Sequence, residues 1–138
     1  MPQPVTPKWI LTSPTRGLQY DPFEHAYQMG IKVIYRDLKL SNEMWLPQYR
    51  TIVLKESMRD AHCRTACTHG LGHAALGHVD DRPKHEVQAD RWAADQLIDF
   101  EELSALSLGV PDLPRLAAEL GVTNRILRVY LNVHRLAG

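Results

Sequence analysis

The chain has 138 residues, 44% of them hydrophobic, enough apolar material for one compact domain around a single core. Sixteen Lys and Arg balance sixteen Asp and Glu, so no overall basic field exists to hold nucleic acid or an anionic membrane surface. No apolar run is long enough to span a bilayer and the N-terminus lacks the charged-then-apolar layout of a secretion signal, so a cytoplasmic protein is expected.

In chain order, residues 1–20 carry Pro2, Pro4, Pro7 and Pro14 and read as an extended arm. DPFEHAYQMG from Asp21 predicts a short helix, with Asp21 as N-cap, Pro22 in the first turn and Gly30 at the end. IKVIYRDL and RTIVLKE, rich in β-branched residues, read as two strands on either side of a turn-like NEMWLPQY. They are expected to pair antiparallel, with room for a third strand around Met44 to Leu46.

After Ser57 the pattern becomes helical through MRDAHCRTACTHGLGHAALGH. The turn VDDRP breaks it, and KHEVQADRWAADQLIDF resumes it, with Asp80 or Asp81 expected as cap. Trp92, Ala93, Leu97 and Phe100 recur at helical spacing and are expected to be core. A short helix near Glu101 to Leu108 follows, then LPRLAAELG and TNRILRVYLNVHRLA. The expected fold is α+β: a small antiparallel sheet packed on a helical bundle. The expected divisions are an arm (1–20), a main domain (21–100) and C-terminal helices packed on it (101–138). Cys63 and Cys67, one helical turn apart, make a poor disulfide framework and read as reduced, buried residues.

The chemistry starts at His69 and His73. Positions i and i+4 share a helix face, so both imidazoles can address one ion. The next helix brings Glu86, a carboxylate suited to be a third ligand, and Asp90 one turn on, able to accept the free ring N–H of a ligating histidine. The short VDDRP turn folds the second helix back on the first. Two His, one Glu and an open position is the catalytic zinc arrangement rather than the closed structural one.

The run RTIVLKESMRDAHCRTACTHGLGHAALGH, followed by HEVQADRWAADQLI, resembles the ImmA/IrrE family of zinc metallopeptidases of phages, mobile elements and bacteria, over roughly Asp21 to Ile98. In that family a strand precedes a helix bearing HExxH, and a segment of the form E-x-x-A-[DN]-x-[FW]-A-A supplies the third ligand. The resemblance implies a zincin-like fold, a Zn²⁺ cofactor held by His69, His73 and Glu86, and Asp90 behind the site. It also implies a protein partner: such proteins act beside a helix-turn-helix repressor and remove it by cleavage.

Gly70 departs from the pattern, standing where HExxH has its general base. Losing a positioned base costs about 10²- to 10⁴-fold in rate, while the metal ligands stay in place. Three explanations follow: a natural pseudo-enzyme, a deliberately inactivated chain, or a base from elsewhere, with His78, Asp80 and Asp81 the nearest in sequence. Because glycine inside a helix costs roughly 1 kcal/mol relative to alanine, glutamate at position 70 is expected to be tolerated.

Other residues read more plainly. His85 begins the second zinc helix and reads as solvated, His62 as a helix-surface residue, and Tyr35 and Tyr49 as packing residues. LAAELGVTNRILRVYL has helix-turn-helix spacing, with Arg125, Arg128 and Arg135 on or after the would-be recognition helix. The neutral charge balance argues against nucleic acid, and the family resemblance implies helices that pack as a lid or support. The sequence therefore carries two functional expectations. One is a zinc metallopeptidase-like domain, weakly hydrolytic or inactive, that acts on or binds a helix-turn-helix repressor. The other is a non-catalytic regulator binding a protein, or DNA through its last helices. Oligomeric state stays open.

Overall fold

The computed structural model describes residues 20–110 and 112–135. The expected arm over 1–20 lies outside the described residues except for Tyr20. Helix α1 (Pro22–Gln28) starts as predicted, with the Asp21 carboxylate accepting from the N–H groups of Phe23 and Glu24. Three strands follow: β1 (Lys32–Arg36), β2 (Glu43–Leu46) and β3 (Thr51–Lys55), with a 3₁₀ turn at Pro47–Tyr49 between the last two.

The sheet order is β1-β3-β2, with β3 parallel to β1 and antiparallel to β2. The antiparallel expectation for IKVIYRDL and RTIVLKE is thus corrected. The segment between them is itself a strand that reverses the chain, so β3 returns in the direction of β1 and slots between its two predecessors. The central position explains its composition. Thr51, Ile52, Val53 and Leu54 are all buried, whereas β1 and β2 are half-exposed edges.

Helix α2 (Asp60–Ala75) lies across the sheet, and α3 (Pro83–Leu97) packs on its opposite side. Between Thr65 and His73 every residue of α2 is buried, because the helix is covered by the sheet on one side and α3 on the other. Two glycines allow the close approach. A Cβ at Gly70 would stand 3.1 Å from Ile52 Cδ1, and one at Gly72 would stand 3.0 Å from the Ala89 carbonyl oxygen of α3. Helix α3 is capped by neither Asp80 nor Asp81. Its N-cap is Arg82, which makes no side-chain cap bond, and Asp80 instead accepts from the Arg82 N–H at 3.2 Å.

Helices α4 (Phe100–Ser107), α5 (Leu113–Leu120) and α6 (Asn124–His134) complete the described chain, with Asp99, Asp112 and Thr123 capping their N-termini. Two apolar clusters result. Ile52, Leu54, Cys67 and Leu71 join sheet, α1 and α2, while Ala93, Ala94 and Leu97 of α3 join Leu116, Leu120, Leu127 and Leu131. The C-terminal helices therefore share a core with the helix that bears Glu86 and Asp90. Phe100 is 53% exposed and does not join it, since it opens α4 rather than continuing the buried face of α3. The α+β fold, with a small mixed sheet beside helices, is zincin-like. Among the described residues no helix is long and apolar enough to cross a membrane.

Candidate metal centre

One face of α2 and one face of α3 meet at the histidine pair. His69 Nε2 and His73 Nε2 lie 3.1 Å apart. The Glu86 carboxylate spans both, with Oε1 3.0 Å from His69 Nε2 and Oε2 2.8 Å from His73 Nε2. Asp90 Oδ1 stands 2.8 Å from the opposite nitrogen of His69, Nδ1. All four residues singled out from their spacing are thus brought together.

Hydrogen bonding behind the histidines sets which nitrogen carries the proton. An ionised Asp90 can only accept, so His69 Nδ1 donates and its Nε2 presents a lone pair. For His73 the chain of bonds is longer. The Gln88 side-chain oxygen, 2.9 Å away, accepts from His78 Nε2, leaving His78 Nδ1 to accept from His73 Nδ1 at 2.9 Å. His73 Nε2 is then also a bare lone pair. Two imidazole lone pairs and a carboxylate face one point about 3 Å across, an arrangement that repels itself unless a proton or a cation sits among them.

Charges around the pair show the same strain. Burial opposes a proton on His69, but the Asp90 hydrogen bond with the charges of Glu43, Asp90 and Glu86 outweighs it, and His69 titrates above its ordinary value. His73 moves down, through burial first and then the neighbouring His69. Burial also opposes ionisation of Asp90, yet hydrogen bonds from His69 and Arg125 hold it down at about 2. Arg125 comes from α6, with Nη1 2.6 Å from Asp90 Oδ2.

The donor set fits a divalent ion. Ligands roughly 2.0–2.1 Å from a tetrahedral zinc stand about 3.3 Å from one another, and the separations of 3.1, 3.0 and 2.8 Å need only a small outward step.

A further carboxylate lies beside this set. Glu43 of β2 offers an oxygen within 4.8 Å of a nitrogen on each histidine, completing a Glu/His/His group able to take a metal ion. Its Oε1 is 3.9 Å from His69 Nε2 and its side chain is only 11% exposed. Burial, partly offset by His69 and reinforced by Glu86, pushes its carboxyl up to about 7. Sequence register explains the placement: Glu43 pairs with Leu54 across the strands and Trp45 with Ile52, so both point to the face that α2 covers.

The remaining candidates sort themselves by position. Asp80 is engaged by Arg82 and by His85 Nδ1 at 2.7 Å, and His85 stacks on His78 at 4.0 Å rather than standing free in solvent. His78 sits behind His73. Asp81 and His62 are exposed residues on the wall of the cleft that opens over the histidines, about 1140 Å³ in volume. Tyr35 and Tyr49 do not line it. Thr65, one turn before His69 on the same wall, has a buried hydroxyl without a partner among the described residues.

Sheet, histidine helix and carboxylate helix all fall within residues 26–132, the stretch that matches the sequence profile of the IrrE N-terminal-like domain, peptidase family M78. The chain belongs to this family. No curated protein matches it as a relative. Members of the M78 family are typically metal-dependent peptidases, which agrees with a Glu/His/His group at the junction of α2 and the sheet. In the IrrE-like domain described here, glycine at position 70 faces Ile52 and Glu43.

Proposed function

We propose that the chain is a zinc-binding metallopeptidase-like domain in which His69, His73 and Glu86 hold the ion and Asp90 fixes His69 from behind. Two imidazoles and a carboxylate suit zinc better than the hard, all-oxygen ions. A bound ion supplies Lewis-acid activation of water and of a carbonyl. Gly70 leaves the histidine helix without its own base, so hydrolysis is slow unless another element supplies one.

The partner we assign is a protein of the helix-turn-helix repressor class, in a cytoplasmic setting, as the family resemblance implies. Support for a polypeptide ligand comes from β2. Among the described residues it pairs only with β3, and its residues Glu43 to Trp45, with Ser41 and Asn42 just before them, border the cleft, so an extended segment can add to its free edge. The helical C-terminus supports the zinc helix in this reading. The DNA-binding alternative is weakened because Arg125, the first arginine of the would-be recognition helix, is engaged with Asp90.

The observation that carries the proposal is the convergence of two lone-pair nitrogens and the Glu86 carboxylate on one point. Elemental analysis after purification without added metal is expected to find close to one equivalent of zinc, lost in His73→Ala. A chain that holds none and takes up none overturns the reading. Cleavage of a candidate repressor, with a chelator control, tests the partner class.

A further inference from the structure

We infer that Glu43, on strand β2, is the general base of this centre and occupies the space that a glutamate at position 70 would fill. The inference rests on the metal-centre reading above and adds a catalytic residue that the histidine helix lacks.

Three observations lead there. First, a Cβ built on Gly70 stands 3.2 Å from Glu43 Oε2, so the β2 carboxylate lies where a side chain from position 70 would begin. Glycine at 70 and glutamate at 43 are sterically complementary, and any side chain at 70 pushes the carboxylate away. Second, Glu43 stands farther from the pair than Glu86 does: its Oε1 is 3.9 Å from His69 Nε2, whereas Glu86 approaches both histidines to 3.0 Å or less. Glu86 is thus the nearer carboxylate to the shared point, and Glu43 is the one placed to reach a water beside it. Third, the carboxylate is nearly buried and makes no hydrogen bond to the protein among the described residues, although it lines the cleft. Its oxygens are not among the buried atoms left without a partner, so water in the cleft can reach them.

The step balances with water as co-reactant. Glu43 accepts a proton from a water in the cleft as that oxygen bonds to the scissile carbonyl carbon. The C–N bond then breaks, the leaving nitrogen takes the proton from Glu43, and a carboxylic acid and an amine are released with Glu43 again ionised. The base has moved from the helix to the neighbouring strand.

The test compares wild type with Glu43→Gln, which keeps shape and removes the acceptor charge. Cobalt(II) binding, followed by its visible spectrum, is expected to stay within a few-fold in the variant. Acetohydroxamate, whose hydroxyl can donate to an anionic acceptor beside the ion, is expected to bind the cobalt-loaded variant about 10- to 100-fold more weakly by calorimetry, the loss of one charged hydrogen bond. Hydrolysis of labelled casein, where wild type shows it, is expected to fall about 10²- to 10⁴-fold. Equal hydroxamate affinity in both cobalt-loaded chains overturns the role of Glu43 and leaves the metal centre standing. Loss of cobalt in Glu43→Gln overturns it differently, making Glu43 a ligand. A wild-type chain that takes up no cobalt removes the metal centre and this inference together.

Discussion

Arg125 grips Asp90 through both terminal nitrogens, at 2.6 and 3.2 Å, on the same carboxylate that accepts from His69 Nδ1. The last helix thus reaches the metal centre through two intermediaries. Asp90→Ala is expected to weaken zinc affinity by roughly 10- to 100-fold without abolishing it, because His69 loses the partner that fixes its tautomer. Arg125→Ala leaves Asp90 in place and only frees it, so its loss should be smaller and in the same direction. Competition titration with a zinc indicator measures both. An affinity unchanged in Asp90→Ala reduces that residue to a surface charge.

His78 does for His73 what Asp90 does for His69. Removing its acceptor nitrogen in His78→Ala frees His73 to place its proton on Nε2, the nitrogen that faces Glu86. Zinc affinity should again drop about tenfold or more. Gln88→Leu, which removes the group that orients His78, should give a weaker version of the same loss, and equal affinities across the series would break the proposed chain of hydrogen bonds.

The two arms of this centre were not equally legible. His69, His73, Glu86 and Asp90 obey helical spacing on two consecutive helices, so one period and one short turn place all four. Glu43 obeys no such rule. Its position depends on the pairing of β2 with β3, on which face of the sheet α2 covers, and on the absence of a side chain at Gly70, none of which a local pattern encodes. His78 escaped for a related reason: Gly77 takes φ +73 and turns the chain off the helix, carrying His78 back against the side of His73. The parallel pairing of β1 with β3 was hidden because the strand that reverses the chain resembled a turn. Arg125 sits on a helix with recognition-helix spacing, a reading the neutral charge balance already argued against, and only the tertiary packing of α6 on α3 shows it facing a carboxylate.

Gly70→Glu is expected to destabilise the fold, correcting the simple helix-propensity argument. The new Cβ meets Ile52 at 3.1 and 3.2 Å and Glu43 Oε2 at 3.2 Å, and Ile52 is fully buried. Overpacking of this kind costs about 1–3 kcal/mol, which outweighs the roughly 1 kcal/mol that a better helix former returns. A second carboxylate beside Glu43 adds repulsion. Gly72→Ala should be at least as damaging, because its Cβ meets the Ala89 backbone at 3.0 Å, which cannot swing aside as a side chain can. Denaturant melts of metal-free protein read both, and an unchanged midpoint in Gly72→Ala would falsify the close-approach argument.

Alkaline stability should be limited by groups buried between α1 and α2. Burial pushes the Cys67 thiol up to about 12, with nearby Cys63 and acidic groups adding to it, and burial likewise raises the Tyr20 hydroxyl. Both are acids whose folded values lie above their unfolded ones. The folded state therefore binds the extra proton, and the stability this gives is complete below the unfolded thiol value of about 9 and is lost as pH rises toward 12. The thiol's share is at most about 4 kcal/mol over that span. Denaturation midpoints should fall between pH 9 and 11, and Cys67→Ala should flatten the decline while lowering the starting midpoint slightly through the lost sulfur contact. The same burial predicts that iodoacetamide at pH 8 labels Cys67 far more slowly in the native chain than in urea. A native labelling rate for Cys67 close to the unfolded one would mean that the junction of α1, α2 and the sheet opens readily, and the pH argument would fail with it.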